Sequence, residues 1–243
     1  MKEVIVAAGV RTAIGDFGGA LKDQAPCDLG AMVIRAALER AGVEGHEVGH
    51  VVMGHVINTE PRDMYLSRVA AMNAGIAKET PAFNVNRLCG SGLQAVVSAA
   101  QSLMLGDAEI AVAAGAESMS RAPYIAPAQR WGARMGDSVM VDMMTGALSD
   151  PFGRMHMGVT AENVAARFGI SRADQDALAV ASHQRAAAAI AAGYFKDQIL
   201  PVTLKTRKGE VVFDTDEHVR GDVTLEGLAK LKPVFQRENG TVT

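Results

Sequence analysis

Hydrophobic and polar positions follow two periods along the first half of the chain. Short, nearly continuous apolar runs predict strands, and runs with apolar residues at i, i+3, i+4 and i+7 predict helices. The predicted strands are 3–8, 49–57, 81–85 and 109–114, and the predicted helices are 28–41, 63–75 and 93–106. Because apolar strands that alternate with helices are typical of a parallel sheet covered on both faces, the pattern predicts an α/β fold.

The pattern changes after residue 120. Prolines and glycines interrupt the stretch 121–144, which has no clear period and contains several methionines. Helical periodicity resumes over 160–168 and again from Ser171, which we expect to cap a helix that ends at Gly193. Two strand-like runs, 201–206 and 210–214, flank a short polar turn and predict a hairpin.

Composition argues against several classes of protein. The chain of 243 residues is 49% hydrophobic and 21% charged, as soluble domains are, and its net charge of −3 argues against a general nucleic-acid binder. No apolar run approaches the ~20 residues of a membrane span, and the N-terminus lacks the apolar core of a signal peptide. Cys27 and Cys89 lie far apart without a C-x-x-C motif, so we expect free thiols in a reducing cytoplasm and no disulfide or metal site.

Cys89 is the strongest candidate for chemistry. It follows the predicted strand 81–85 and precedes a predicted helix, and Gly90 and Gly92 allow a sharp turn between them. The unpaired amides and the dipole of a helix N-terminus favour an anion, and a thiol in such a place can have its pKa lowered to roughly 3.5–7.5. Because the thiolate is the nucleophile, this position predicts a reactive cysteine.

Two other interpretations of this segment stay open. Cysteine is often a small buried hydrophobic residue, which would give Cys89 a structural role. The sequence Gly90-Ser91-Gly92-Leu93-Gln94-Ala95 also fits the G-x-G-x-x-A dinucleotide fingerprint. That fingerprint should follow the first strand of its unit, whereas at least two predicted strands precede it here, which disfavours a dinucleotide loop.

Five motifs, in order along the whole chain, carry a family resemblance. They are Val10-Arg11-Thr12-Ala13-Ile14-Gly15, Asn86-Arg87-Leu88-Cys89-Gly90-Ser91-Gly92, Gly115-Ala116-Glu117-Ser118-Met119-Ser120, His156-Met157-Gly158 with Thr160-Ala161-Glu162-Asn163, and Asp216-Glu217-His218-Val219-Arg220. In these motifs the chain resembles the thiolases, in particular bacterial biosynthetic acetyl-CoA acetyltransferases and β-ketothiolases. The resemblance implies an αβα-layered, mostly parallel mixed sheet with an inserted α-rich loop domain.

The resemblance also implies domain limits. It places the N-terminal α/β domain at residues 1–118, without its last strand, and the inserted loop domain at 119–243. Within the loop domain it implies a tetramerisation segment at about 121–144 and a part that binds coenzyme A. The partners that it implies are acyl-CoA substrates and further copies of the chain, as a homodimer or homotetramer, and neither nucleic acid nor a membrane.

In this family the chemistry is acyl transfer between coenzyme A thioesters. The resemblance implies that Cys89 carries the acyl group as a thioester while short 3-ketoacyl-CoA is formed or cleaved. Coenzyme A or acyl-CoA is then a substrate, with no covalently bound cofactor. The implied contacts with coenzyme A are Leu148, His156 and Met157 along the pantetheine and Arg220 against the adenine. Position 227 departs from the family, since it is glycine where several relatives have serine.

Several of these residues have structural alternatives. His156 could be a satisfied core histidine, and Arg220, among Asp216, Glu217 and Asp222, could form a surface ion pair. Glu117 could be a catalytic acid, but the favoured interpretation is a carboxylate that accepts backbone hydrogen bonds at a strand end. His55, which lies within the second predicted strand, is interpreted as a structural or strand-end residue.

Two catalytic motifs of the family are missing from the sequence. Relatives carry a Gly-His-Pro histidine and a Cys-x-Gly cysteine in their C-terminal half, and neither motif occurs in these 243 residues. We therefore expect an N-terminal half that is inactive alone and has an exposed sheet edge and an apolar surface. The alternatives are a non-catalytic fragment that binds coenzyme A or dimerises, and another condensing enzyme of the superfamily, such as a ketoacyl synthase.

Overall fold

The computed structural model describes residues 3–243, and they form two compact units. The first unit contains residues 3–144 and Asp197–Glu217, and the second contains Thr145–Lys196 and His218–Thr243. Neither break coincides with the boundary predicted between residues 118 and 119. The segment 119–144 and the hairpin near 202–213 belong with the first unit rather than with the later helices.

A parallel three-stranded sheet forms the centre of the first unit. Strands β2 (His50–Gly54), β3 (Ala82–Val85) and β4 (Ala111–Gly115) lie in the order β3-β2-β4. Val51 on the central strand pairs with Ala82 on one side and with Val112 on the other. The prediction of an α/β fold with a parallel sheet is therefore confirmed, and β4 is an edge strand of this sheet.

Helices cover both faces of the sheet because neighbouring residues of β2 point to opposite sides. Val51 and Met53 pack with α1 (Pro26–Ala41) and α2 (Leu66–Ala74). Val52, which lies between them, packs with Ala95 and Ala99 of α3 (Ser91–Leu105). The result is the expected αβα layering. Helix α1 begins at Pro26, a favoured first residue, two residues before the predicted start at Asp28.

The first predicted strand, 3–8, is not a strand in the structure. Strand β1 is only Arg11–Thr12, which pairs in parallel with β7 (Ile199–Leu200). The residues before it, including Ile5 and Val6, are largely exposed. An open groove of about 850 Å³ is lined by residues 8–14 and by residues 112–116 near the β4 edge, among others. A strand needs a backbone partner, and residues 3–8 pair with no strand of the described chain.

Helix α3 is the longest apolar stretch of residues 3–243 by the membrane-span criterion. The stretch Leu88–Leu105 has 18 residues and a mean hydropathy of 1.3, and polar residues such as Gln94 and Gln101 interrupt it. Its small residues Ala95 and Ala99 pack on the sheet, whereas Leu93 and Leu105 are exposed. Length and composition alone are weak evidence for a span, since core helices of α/β layers meet the same criterion.

Two antiparallel pairs complete the first unit. Strands β5 (Tyr124–Ile125) and β6 (Val141–Asp142) pair within the region 119–144. The predicted hairpin is confirmed as β8 (Val202–Thr206) and β9 (Gly209–Phe213). The inner side of β8 packs on Leu29 of α1, which fixes the hairpin to the rest of the unit.

The second unit is helical, with α5 (Met157–Phe168), α6 (Arg172–Ala191) and α7 (Leu225–Leu228). A five-residue helix, α4 (Met143–Ala147), crosses the break between the units. Ser171 caps α6, and Asp174 completes a capping box, as the sequence predicts. Helix α5 begins three residues before the predicted start at 160, because His156 supplies a side-chain cap for its first turn.

Candidate active site

Cys89 lies in a tight turn between β3 and α3. Leu88, just before it, has a φ of 47°, which is an uncommon conformation for a residue that is not glycine. Ser91 holds the turn, since its hydroxyl donates to the carbonyl of Leu88 at 2.6 Å and accepts from the amide of Arg87 at 2.8 Å. The predicted passage from strand to helix at Cys89 is confirmed, and the turn has its own hydrogen bonds to maintain it.

The thiol of Cys89 is exposed at the N-terminus of α3. Gly90 is the N-cap residue and provides no side chain to cap the helix. Among residues 3–243 no hydrogen bond engages the amides of Gly92 and Leu93. Unpaired amides at a helix N-terminus favour negative charge, so the turn presents an exposed thiol next to donors suited to an anion. The interpretation of Cys89 as a buried structural residue is therefore wrong.

The other cysteine, Cys27, differs from Cys89 in its burial and in its access to solvent. Cys27 is fully buried in α1, and its thiol donates to a carboxylate oxygen of Asp63 at 3.4 Å. Burial, followed by the hydrogen bond and charge of Asp63, raises the pKa of Cys27 to about 12. A thiol that stays protonated and has no access to solvent is not a nucleophile at neutral pH.

Polar groups join the ends of β2 and β4. The carboxylate of Glu117 accepts the amides of Val56 at 2.8 Å and Ile57 at 3.2 Å. Nδ1 of His55 lies 2.8 Å from the carbonyl oxygen of Ala116. Both residues therefore tie the strand ends together, as the structural interpretations of Glu117 and His55 predict.

Three of the predicted coenzyme A contacts lie together in the second unit. The carbonyl of Leu148 accepts the amide of Met157 at 2.8 Å. Nδ1 of His156 accepts the amide of Gly158 at 3.0 Å, and its ring stacks on Phe235 with centroids 4.9 Å apart. His156 is thus half-buried and partnered, yet it forms part of a small apolar surface with Leu148 and the exposed Met157.

Arg220 lies elsewhere in the same unit and is exposed. Its amide donates to Nδ1 of His183 on α6 at 3.1 Å. Within the described chain, 3–243, no ion pair or hydrogen bond engages its guanidinium, and Asp216 is bound by Arg11 instead. The alternative of a surface ion pair with Asp216 is therefore wrong. Near the glycine at 227, Thr224 accepts the amide of that residue at 3.1 Å.

Sequence reasoning missed a buried carboxylate in the second unit. Glu162 on α5 accepts the amides of Thr241 and Val242, both at 2.9 Å, and the hydroxyl of Thr241. These donors, Val242 first, hold the pKa of Glu162 below its ordinary value, against burial, which raises it. Glu162 belongs to a motif that carries the family resemblance, but its partners are about 80 residues away and no local pattern indicates them.

Comparison with known proteins identifies the family to which the chain belongs. Residues 4–243 match the model of the thiolase N-terminal domain. The chain belongs to the thiolase family. It is 68% identical to the β-ketothiolase BktB of Cupriavidus necator over 242 residues, and 48% identical to an acetyl-CoA acetyltransferase of the same organism.

Solved thiolases have the same fold. The chain superposes with a TM-score of 0.94 on the crystal structure of the Bacillus anthracis acetyl-CoA acetyltransferase, at 44% identity over 98% of the chain. Human mitochondrial 3-ketoacyl-CoA thiolase gives the same TM-score at 42% identity. This thiolase chain spans about three fifths of its relatives, with 61% of BktB and 60% of each solved chain covered.

Proposed function

We propose that this thiolase chain supplies the acyl-carrying nucleophile of an acetyl-CoA C-acetyltransferase, or β-ketothiolase, which forms or cleaves short 3-ketoacyl-CoA. The observation that carries the proposal is the exposed Cys89 at the uncapped N-terminus of α3. The names and identities of the relatives support the same chemistry.

In the first half-reaction the thiolate of Cys89 attacks the carbonyl carbon of an acyl-CoA thioester. The carbonyl oxygen takes the negative charge, which amide donors at the helix N-terminus can stabilise. The bond to the coenzyme A sulfur then breaks, coenzyme A leaves as a thiolate, and Cys89 holds the acyl group as a new thioester.

The second half-reaction needs groups that these 243 residues do not contain. A base must remove a proton from the α-carbon of a second acetyl-CoA, and the carbanion must attack the acyl-cysteine, with Cys89 leaving as a thiolate. The family's Gly-His-Pro and Cys-x-Gly motifs are not in the sequence. We propose that the chain alone binds coenzyme A and accepts an acyl group but does not condense two of them.

The coenzyme A contacts are proposed for the second unit. The apolar surface of Leu148 and Met157 beside His156 suits the pantetheine, which has an uncharged, mostly apolar chain. The planar guanidinium of Arg220, which forms no ion pair or hydrogen bond within residues 3–243, suits stacking on an adenine.

Assembly is proposed through the segment 121–144. Trp131 and Met135 are 89% and 95% exposed there, and large exposed apolar side chains are typical of contact surfaces. We propose that this segment joins copies of the assembled enzyme into a homodimer or homotetramer. The proposed location is the cytoplasm, because both cysteines are free thiols.

The test is a chromatographic assay of the purified chain mixed with excess acetyl-CoA. We expect a single burst of about one free coenzyme A per chain, because one acyl group is transferred to one nucleophile. The burst should be absent in Cys89→Ala, and no acetoacetyl-CoA should accumulate. Equal release of coenzyme A from the wild-type chain and from Cys89→Ala would contradict the assignment of Cys89 as the nucleophile. Steady acetoacetyl-CoA formation would contradict the claim that this chain cannot condense acetyl groups.

A further inference from the structure

The segment that contains Arg220 lies directly on helix α6. A Cβ built on Gly221 would lie 3.1 Å from the Cβ of Ala187, so that only glycine allows this approach without a shift. Ala187 is one helical turn beyond His183 and therefore on the same face of α6. His183 and Ala187 together form the surface on which residues 218–223 rest.

The backbone amide and the backbone carbonyl of Arg220 each form a hydrogen bond. Its amide donates to Nδ1 of His183 at 3.1 Å, and its carbonyl accepts the amide of Val223 at 3.4 Å. The side chain is exposed and, within residues 3–243, is held by no ion pair or hydrogen bond. The position of the guanidinium thus depends on a backbone that is held by the imidazole of His183 and the amide of Val223.

The hydrogen bond requires one protonation state of His183. Nδ1 can accept the amide only when the ring is neutral and its proton is on Nε2. Adding a proton to Nδ1 would place two donors against each other and break the bond. Histidine is the side chain whose protonation state changes most readily near physiological pH.

The titratable and charged groups of the packed segment 218–223 are His218, Arg220 and Asp222. The ring of His218 has its centroid 6.0 Å from that of His183, tilted by 34°. Arg220 is itself a cation, and Asp222 is the carboxylate in the packed segment. The residues three and four positions away on α6 are Ala179, Val180, Ala186 and Ala187, none of which is charged.

We infer that His183 is a positioning residue for Arg220, and that through it the affinity for the nucleotide end of coenzyme A falls when His183 is protonated. The inference rests on the proposed contact between Arg220 and coenzyme A. Neutral His183 holds residues 218–223 on α6 and fixes the guanidinium. Protonation of His183 breaks this hydrogen bond and frees residues 218–223. Binding of the ligand must then order Arg220 as well, which lowers the affinity.

The experiment measures binding of 3′-dephospho-CoA to the full 243-residue chain between pH 8 and pH 5.5 by calorimetry. This ligand is used because the 3′-phosphate of coenzyme A would itself gain a proton near pH 6. We expect wild-type affinity to fall about tenfold, the effect of losing one hydrogen bond. Pantetheine, which lacks the nucleotide, should show no such fall.

Two variants separate positioning from a general structural role. In His183→Asn the amide oxygen can replace Nδ1 as acceptor but does not titrate, so affinity should match the wild type at pH 8 and stay constant to pH 5.5. His183→Leu should bind about tenfold more weakly at both pH values. His46→Asn, at an exposed histidine of the first unit, should follow the wild type. The same pH dependence in His183→Asn as in the wild type would overturn the inference.

Nuclear magnetic resonance of the imidazole nitrogens decides the inference independently of binding. We expect an unprotonated Nδ1 of His183 at pH 8 and an Arg220 amide shift that follows the titration of His183. A protonated Nδ1 in the neutral ring, or an Arg220 amide that does not respond, would overturn it. If the wild-type chain binds no ligand at pH 8, the proposed coenzyme A contact fails, and the nitrogen shifts alone decide whether His183 positions Arg220.

Discussion

Gly54 lies against the backbone of Gly92, and a Cβ built on Gly54 would be 2.7 Å from the Gly92 nitrogen. It would also be 2.6 Å from the carbonyl carbon of Ser91. Because both atoms are backbone, neither can move aside alone. The end of β2 therefore fixes the first turn of α3, which carries the unpaired amides next to Cys89.

The first prediction follows from this contact. Gly54→Ala should lower the free energy of unfolding by about 1–3 kcal/mol, as added volume does in a closely packed site. It should also slow alkylation of Cys89, because the turn has to shift. The control is Gly92→Ala, whose added Cβ meets nothing within 4 Å and should not lower stability. Equal unfolding midpoints in denaturant for Gly54→Ala and the wild type would contradict the argument.

The second prediction concerns the two cysteines. Iodoacetamide at pH 8 should label Cys89, which is exposed, and leave Cys27 unlabelled, because burial and Asp63 raise the pKa of Cys27 to about 12. Intact mass should therefore show one label on the wild type, none on Cys89→Ser, and two on the wild type in denaturant. Labelling of Cys27 in the folded chain at a rate near that of Cys89 would be inconsistent with the structure.

The third prediction concerns the ion pair of Arg11 and Asp216, whose atoms are 2.7 Å apart. The hydrogen bonds from Arg11 lower the pKa of Asp216, although burial raises it. The pair therefore stabilises the fold above the ordinary carboxyl pKa of about 3.9, and this contribution is lost as pH falls through the lower folded-state value.

Asp216→Asn should accordingly destabilise the chain at pH 7 by about 1–3 kcal/mol, as loss of a hydrogen bond to a charged group does. The control is Glu79→Gln, since Glu79 pairs with Lys78 at 3.8 Å on the open surface, where ion pairs contribute about 0–1 kcal/mol. Thermal unfolding from pH 7 to pH 3 is the measurement. The difference between wild type and Asp216→Asn should shrink in acid, and a constant difference would speak against the pair.

The fourth prediction concerns Glu162, which binds residues 241–242. The amides of Val242 and Thr241 lower the pKa of Glu162, so these contacts are complete above the ordinary glutamate pKa of about 4.3 and are lost as pH falls through the lower folded value. Hydrogen exchange at these two amides, corrected for intrinsic rates, should accelerate in acid and in Glu162→Gln at pH 7. Glu238→Gln, in the same terminal segment, is the control. Unchanged protection in Glu162→Gln would refute the contact.

Local patterns predicted those parts of the fold that local interactions determine. Ser171 and Asp174 are three residues apart and cap α6 as expected, and Gly106 ends α3 with a φ of 86°. The Cys89 turn was predictable for the same reason, since a strand, two glycines and a helix specify it within about twelve residues. The packing of the two faces of β2 followed from alternation along one strand.

Features that depend on distant residues could not be predicted in this way. The run 3–8 has the composition of a strand, but a strand needs a backbone partner and this run pairs with no strand of the described chain, 3–243. His183 and Arg220 are 37 residues apart, and nothing in the local sequence of α6 indicates that its histidine accepts a backbone amide. The start of α5 at Met157 depends on the cap that His156 provides, which the apolar period does not reveal.

The most direct test of the central claim is peptide mass spectrometry of the wild-type chain after exposure to acetyl-CoA. The account predicts a mass increase of about 42 Da, for an acetyl group replacing the thiol proton, on the peptide that contains Cys89. The peptide that contains Cys27 should be unmodified, and Cys89→Ala should gain no acetyl group. An unmodified Cys89, or acetylation that is equal at both cysteines, would contradict the claim that Cys89 is the nucleophile.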